Sequence, residues 1–210
     1  EEAERIMGNA FTLLLIFGAA VTGVFLLFRH PLLYLFGASD ATYPYADSYL
    51  TIYLLGTVFV MTSLGLNAYI NAQGFARIGM VTTLIGAVLN ILLDPVFIFI
   101  FDMGVKGAAI ATVISQAASA VWTFRFLTGR GTILRIRFSS MKPHWKTIGS
   151  ITSLGLSGFM MSITNSIVQV VCNSTLSTYG GDLYVGVMTV VNSIREIVTM
   201  PVSGITNGSQ

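Results

Sequence analysis

Asn90-Ile91-Leu92-Leu93-Asp94-Pro95 lies inside the apolar run from Ile78 to Phe101. The run is long enough to cross a bilayer, for which about 20 residues suffice. A carboxylate near the centre of such a span costs about 2.5–3.5 kcal/mol on insertion scales, so it is normally found facing a cavity, an ion or a partner. Asn90 precedes Asp94 by four residues, which places both side chains on one helical face where amide and carboxylate converge. Pro95 follows directly. Inside a helix it removes a backbone hydrogen bond and kinks the axis near the carbonyl of Ile91.

The whole composition agrees with a membrane setting. The chain is 54% hydrophobic and 10% charged, with a mean hydropathy of +0.78, whereas a soluble domain carries about 25% charged residues. The apolar residues come in unbroken runs rather than in alternating segments, which argues for helices and against a transmembrane barrel. The pattern predicts six spans, at 6–28, 48–72, 78–101, 107–127, 148–178 and 184–205. Turn chemistry separates them: His30-Pro31 with Gly37-Ala38-Ser39-Asp40, then Gln73-Gly74, Asp102-Met103-Gly104 and Gly180-Gly181-Asp182. The expected class is an all-α, polytopic membrane helical bundle.

Orientation follows from the bases. If residues 1–5 are cytoplasmic, that side carries Arg5, Arg77, Arg125, Arg130, Arg135, Arg137, Lys142 and Lys146, against Arg29 and Lys106 on the other. Positive charge is enriched on the cytoplasmic side of membrane proteins. The basic loop is thus assigned to topology and lipid headgroup contact, not to nucleic acid. This polar loop, residues 129–147, is also the one credible domain boundary. It divides four spans from two, and so unequal a division indicates a chain cut from something larger.

Several chemistries fall away. Cys172 is the single cysteine and cannot build a disulfide framework or a cysteine metal cluster. His30 and His144 fall in loops on opposite sides, and Gly129-Arg130-Gly131-Thr132 lacks the spacing and lysine of a phosphate loop. Gly155-Leu156-Ser157-Gly158 has the form of an intramembrane serine protease motif, but no histidine follows to activate Ser157. Its small residues are read as helix-packing positions, and the protein is expected not to be an enzyme. Asn165, Gln169 and Asn173 recur every four residues and form a polar stripe, either interhelical glue or the wall of a wet substrate cavity. Nine methionines and fourteen phenylalanines suit either a pocket for bulky apolar ligands or lipid-facing bulk.

Three segments in register resemble one family. Asn67-Ala68-Tyr69-Ile70-Asn71-Ala72-Gln73-Gly74 is similar to the end of the fourth helix of the multidrug and toxic compound extrusion (MATE) transporters. The stretch from Asn90 to Phe99 is similar to their fifth-helix motif. Gly104-Val105-Lys106-Gly107-Ala108-Ala109-Ile110-Ala111-Thr112 and the residues to Gln116 look like the start of the sixth.

The resemblance implies a twelve-helix, two-lobe antiporter of the cell inner membrane. Such a protein exports small organic cations in exchange for protons or sodium, with no cofactor beyond the coupling ion. Residues 1–128 would be helices three to six of the first lobe, 129–147 the cytoplasmic interlobe loop, and 148–210 helices seven and eight. The family's first-lobe cation site maps on to Asn67, Asn90, Asp94 and Thr112, with Tyr49 near the same cluster. One carboxylate, two amides and a hydroxyl supply the oxygen ligands that a hard cation prefers. A flippase for lipid-linked oligosaccharides is a rival within the superfamily; it would be expected to carry more bases inside its spans than Arg195. A channel or a scaffolding membrane protein is the non-transporter alternative.

Overall fold

A computed structural model describes residues 2–129, 131–136, 141 and 143–209, with side chains as far as Val202. Arg130, Arg137 and Lys142 of the basic loop lie outside the described residues. Every regular element among the described residues is helical. In chain order these are α1 (Glu2–Leu27), α2 (Arg29–Leu35), α3 (Tyr43–Leu55), α4 (Thr57–Ala72), α5 (Ala76–Pro95), α6 (Gly104–Thr128) and α7 (Trp145–Ser209). The expected helical membrane bundle is present: four helices are long and apolar enough to cross a membrane, and a fifth span forms if the bent pair α3 and α4 is counted as one.

The differences from the predicted spans have local causes. Residues 48–72 read as one helix in the sequence, yet α3 and α4 meet at a 56° bend. Gly56 sits at the corner, with the side chain of Val113 from α6 against it; a Cβ on Gly56 would lie 2.5 Å from Val113 Cγ2. The break at His30-Pro31 is instead the first turn of the short helix α2, where the missing proline N–H is one the helix leaves unused anyway. After Pro95 the helix widens into a five-residue π-type stretch, Val96–Ile100. There the N–H of Phe101 reaches back to the carbonyl of Val96 at 3.0 Å, a common response to a disrupted ladder. The last two predicted spans form one helical run, bent at Gly181, whose φ of 67° and ψ of −170° suit only glycine.

Packing divides the chain into two units, Glu1–Arg29 with Tyr45–Met161, and His30–Pro44 with Ser162–Gln210. In the first, α6 packs against α4 and α5, and α1 against α4. Its core is a cluster of Met7, Phe11, Leu66, Ile70, Leu127 and Ile136. Ile136 belongs to the basic loop, so that loop is folded on to the helix ends. Gln73, at the turn after α4, holds it there: its side-chain oxygen accepts from Thr132 Oγ1 at 2.7 Å, from the Leu134 N–H at 2.8 Å and from the Ile133 N–H at 3.0 Å. Asn9 adds a second tie by accepting from the His144 N–H at 2.8 Å.

Each such bond is worth about 1 kcal/mol net, and a donor left unpaired costs more. Gln73→Leu should therefore release the loop, and trypsin should cut after Arg135 about tenfold faster, as three bonds at a fraction of their full worth would allow. Gln73→Glu keeps the acceptor oxygen and should cut at nearly the wild-type rate. Equal cutting in all three proteins, followed by gel electrophoresis, would show that Gln73 is not what holds the loop.

In the second unit, the bend at Gly181 is tied to the 30–44 segment by Ser39 Oγ, which donates to the Asp182 carboxylate at 2.8 Å. His30, Tyr34 and Tyr43 form an aromatic group with ring centroids 5.0–5.4 Å apart. Tyr34 donates to Asp40 at 2.7 Å, and that bond holds its phenol above the usual tyrosine range. Along α7 no residue from 148 to 202 is buried. The close packing expected around Ser157 is not found among the described residues, since a Cβ on Gly155 or Gly158 would meet nothing within 4 Å.

Candidate functional site

The site in the first unit is assembled from three helices. α5 presents Thr82, Thr83, Gly86 and Asn90 on one face, by the three- and four-residue spacing of a helix. α6 contributes Thr112, Ser115, Gln116 and Ser119 with the same spacing, and α4 contributes Ser63 and Asn67. Together they line a polar cavity of about 230 Å³. Ser119 Oγ donates to the Thr82 carbonyl at 3.0 Å and fixes α6 against α5. Thr112 Oγ1 donates to the Ala108 carbonyl at 2.9 Å, which leaves its oxygen lone pairs available.

Asn90 is the hinge of the polar group. Its amide nitrogen donates to Asp94 Oδ1 at 3.2 Å and to Thr112 Oγ1 at 3.4 Å. Two residues from α5 and one from α6 are thus joined through one amide. It is the nitrogen of Asn90 that faces the carboxylate. Asp94 is half-buried and reaches the cavity through Asn90 rather than lining it.

Asn67 lines the same cavity, and its side-chain oxygen is buried with no hydrogen-bond partner among the described residues. A buried acceptor left without a donor costs about 1–3 kcal/mol, so it marks a place where a cation or a water is favoured. Tyr49 is not among the cavity-lining residues; it stacks on Tyr53 at a centroid distance of 5.9 Å. Among the described residues no three histidine, cysteine or acidic side chains come together. A lone carboxylate with neutral oxygens suits a proton or a monovalent ion better than a multivalent metal.

Ser63, Thr82, Thr83 and Ser119 were not singled out in the sequence. Ser63 and Ser119 carry a signal in their spacing, three or four residues from Asn67 and from Ser115 and Gln116, whereas Thr82 and Thr83 have no polar residue at that spacing in α5. The stripe Asn165, Gln169 and Asn173 lies in the second unit, where Asn165 and Gln169 are exposed. It faces a separate cavity of about 350 Å³, shared with Asn192 and Arg195.

These features define a polytopic helical membrane protein with a polar, ionisable site inside its spans. A family model described as MatE matches residues 1–96. The multidrug export protein MepA of Staphylococcus aureus is 31% identical over 163 residues, covering 78% of this chain and 36% of that protein. A solved chain described only as "protein A" superposes with a TM-score of 0.91 at 38% identity, over 97% of this chain and 46% of that one. An inward-facing multidrug resistance MATE family transporter gives a TM-score of 0.84 at 25% identity, over 94% of this chain and 51% of that one. In sequence and in fold the chain is similar to MATE transporters. It spans about a third of the length of the curated relatives it matches.

Proposed function

We propose that this chain is part of a secondary antiporter that exports small organic cations against protons or sodium. In this reading Asp94 is the coupling carboxylate, and Asn90, Asn67 and Thr112 supply neutral ligands, with Tyr49 at the periphery of the cluster. The observation that carries it is the Asn90 amide joined to both Asp94 and Thr112, beside a cavity that Asn67 also lines. Residues 1–128 and 148–210 are then parts of two lobes joined by the loop 129–147, in a protein of the cell inner membrane whose partners are lipid and substrate. It performs no covalent chemistry.

The mechanism follows from competition. Proton, sodium and cationic substrate all favour the same carboxylate, so binding of one weakens binding of another, by a coupling of roughly 5–150-fold in typical cases. Pro95 and the π-type stretch beyond it leave the helix next to Asp94 with an irregular hydrogen-bond ladder. Such a segment can bend between two states as the carboxylate changes partner.

The test uses the full-length transporter in vesicles loaded with a fluorescent organic cation. An imposed proton or sodium gradient should drive exchange, and an ionophore that dissipates the gradient should stop it. Steady single-channel conductance without coupled exchange would establish the channel reading instead. Asn90→Ala and Thr112→Ala each remove one neutral ligand, worth about 1 kcal/mol, and should slow gradient-driven exchange by about fivefold.

A further inference from the structure

The polar cavity of the first unit is elongated along α5 and α6, which line it in successive rungs. Asn90 donates to Thr112 at one end, and the Thr82 carbonyl accepts from Ser119 at the other. Between them Gly86 leaves room for Ser119, whose Oγ would lie 2.8 Å from a Cβ at that position. Eight residues of α5 separate Asn90 from Thr82, about 12 Å of helix. The row leads away from Asp94 toward the ends of α5 and α6 that carry Arg77 and Arg125. There the basic loop is folded on to Leu127, whose carbonyl accepts from the Ile136 N–H at 3.1 Å. Thr123, fully buried, extends the row one turn further along α6.

Thr82, Ser115, Ser119 and Thr123 are each 2% exposed or less, and a buried hydroxyl is costly unless bonded. All four donate to backbone carbonyls: Thr82 to Ile78 at 3.1 Å, Ser115 to Ala111 at 2.8 Å, Ser119 to Thr82 at 3.0 Å and Thr123 to Ser119 at 2.9 Å. What remains on each oxygen is acceptor capacity. Helix packing accounts for the bond from Ser119 to Thr82, but Ser115 and Thr123 bond only within their own helix. Among the described residues no charged side chain lines the cavity, which at about 230 Å³ has room for several waters. Neutral oxygens in series bind a small cation firmly enough to admit it and weakly enough to release it. We propose that this row is the route by which the coupling ion passes between Asp94 and the membrane face that bears the basic loop, with Thr82, Ser115 and Ser119 positioning the ion and its waters. The inference rests on the reading of Asp94 as the coupling carboxylate and supplies its exit.

The test uses silver ion, a monovalent cation that blocks thiols, on the full-length transporter in sealed vesicles of known orientation. Cys172 and any other native cysteine are replaced by serine, and Ser115→Cys, Ser119→Cys and Leu84→Cys are made singly. Leu84 is on α5 but half exposed and outside the cavity lining. Thiols left free are counted with a maleimide after washing and denaturation. Silver added on the side of the basic loop should block Ser115→Cys and Ser119→Cys at least about tenfold faster than Leu84→Cys, the ratio that a hydrated path against an apolar one requires. Equal rates at all three positions, no blocking, or faster blocking from the opposite side would overturn the proposal. Ser115→Ala breaks no bond between helices; it should slow gradient-driven exchange by about fivefold, as one lost acceptor implies, and leave organic-cation affinity within twofold. Unchanged exchange, or an equal loss of affinity, would also overturn the route. Silver entry does not depend on Asp94, so coupled exchange by Asp94→Asn contradicts the coupling reading, whereas failed silver entry contradicts the route alone.

Discussion

Asp94→Asn in the full-length protein should reduce gradient-driven efflux to the level of empty vesicles while leaving the protein inserted and folded. The substitution is nearly isosteric and keeps one oxygen, so the hydrogen bond at 3.2 Å to Asn90 can be replaced by an amide–amide bond. It removes the charge that proton, sodium and substrate compete for. Since a charge within a span costs about 2.5–3.5 kcal/mol, the neutral variant loses no folding stability on that account. If Asp94 were only a bridge between helices, the outcome would be reversed: reduced amounts of protein, with full coupling in what remains. Quantifying inserted protein alongside transport distinguishes the two.

Gly107→Val should have the second largest effect, and on stability rather than on coupling. Gly107 is buried in the first turns of α6, where a Cβ would lie 2.7 Å from the Phe97 carbonyl oxygen and 2.8 Å from its carbon. Both are backbone atoms of the π-type stretch and cannot swing away. Overpacking of a filled site typically costs about 1–3 kcal/mol, and the gain from replacing a helical glycine is at most about 1 kcal/mol. The clash wins. Gly107→Ala should lower the melting temperature of the detergent-solubilised protein by several degrees, and Gly107→Val should yield little folded protein. A wild-type melting curve for Gly107→Val would show that α6 can move away from the π-type stretch.

The spans were legible because a bilayer demands long apolar runs, and the pairing of Asn90 with Asp94 was legible because helical spacing is a local rule. Contacts across helices were not. Thr112 lies 22 residues from Asn90; it is visible as a polar residue of its span, but its place beside Asn90 comes only from resemblance to a family. Gly56 at the bend packs against Val113, distant in sequence, and the apolar run 48–72 gives no sign of that contact. Gln73 was visible as part of a turn, but its three bonds to the basic loop depend on where that loop folds. The case of Asn192 and Arg195 is different. Their spacing was present in the chain, and only the return of α7 at Gly181 shows what they face.

If Asp94 exchanges an ion for substrate, the affinity of purified full-length protein for a fluorescent organic cation should respond to pH and sodium. Wild type should bind more weakly as the competing ion rises, and Asp94→Asn should bind with an affinity independent of both. An Asp94→Asn protein that keeps the wild-type dependence on pH or sodium would contradict the account.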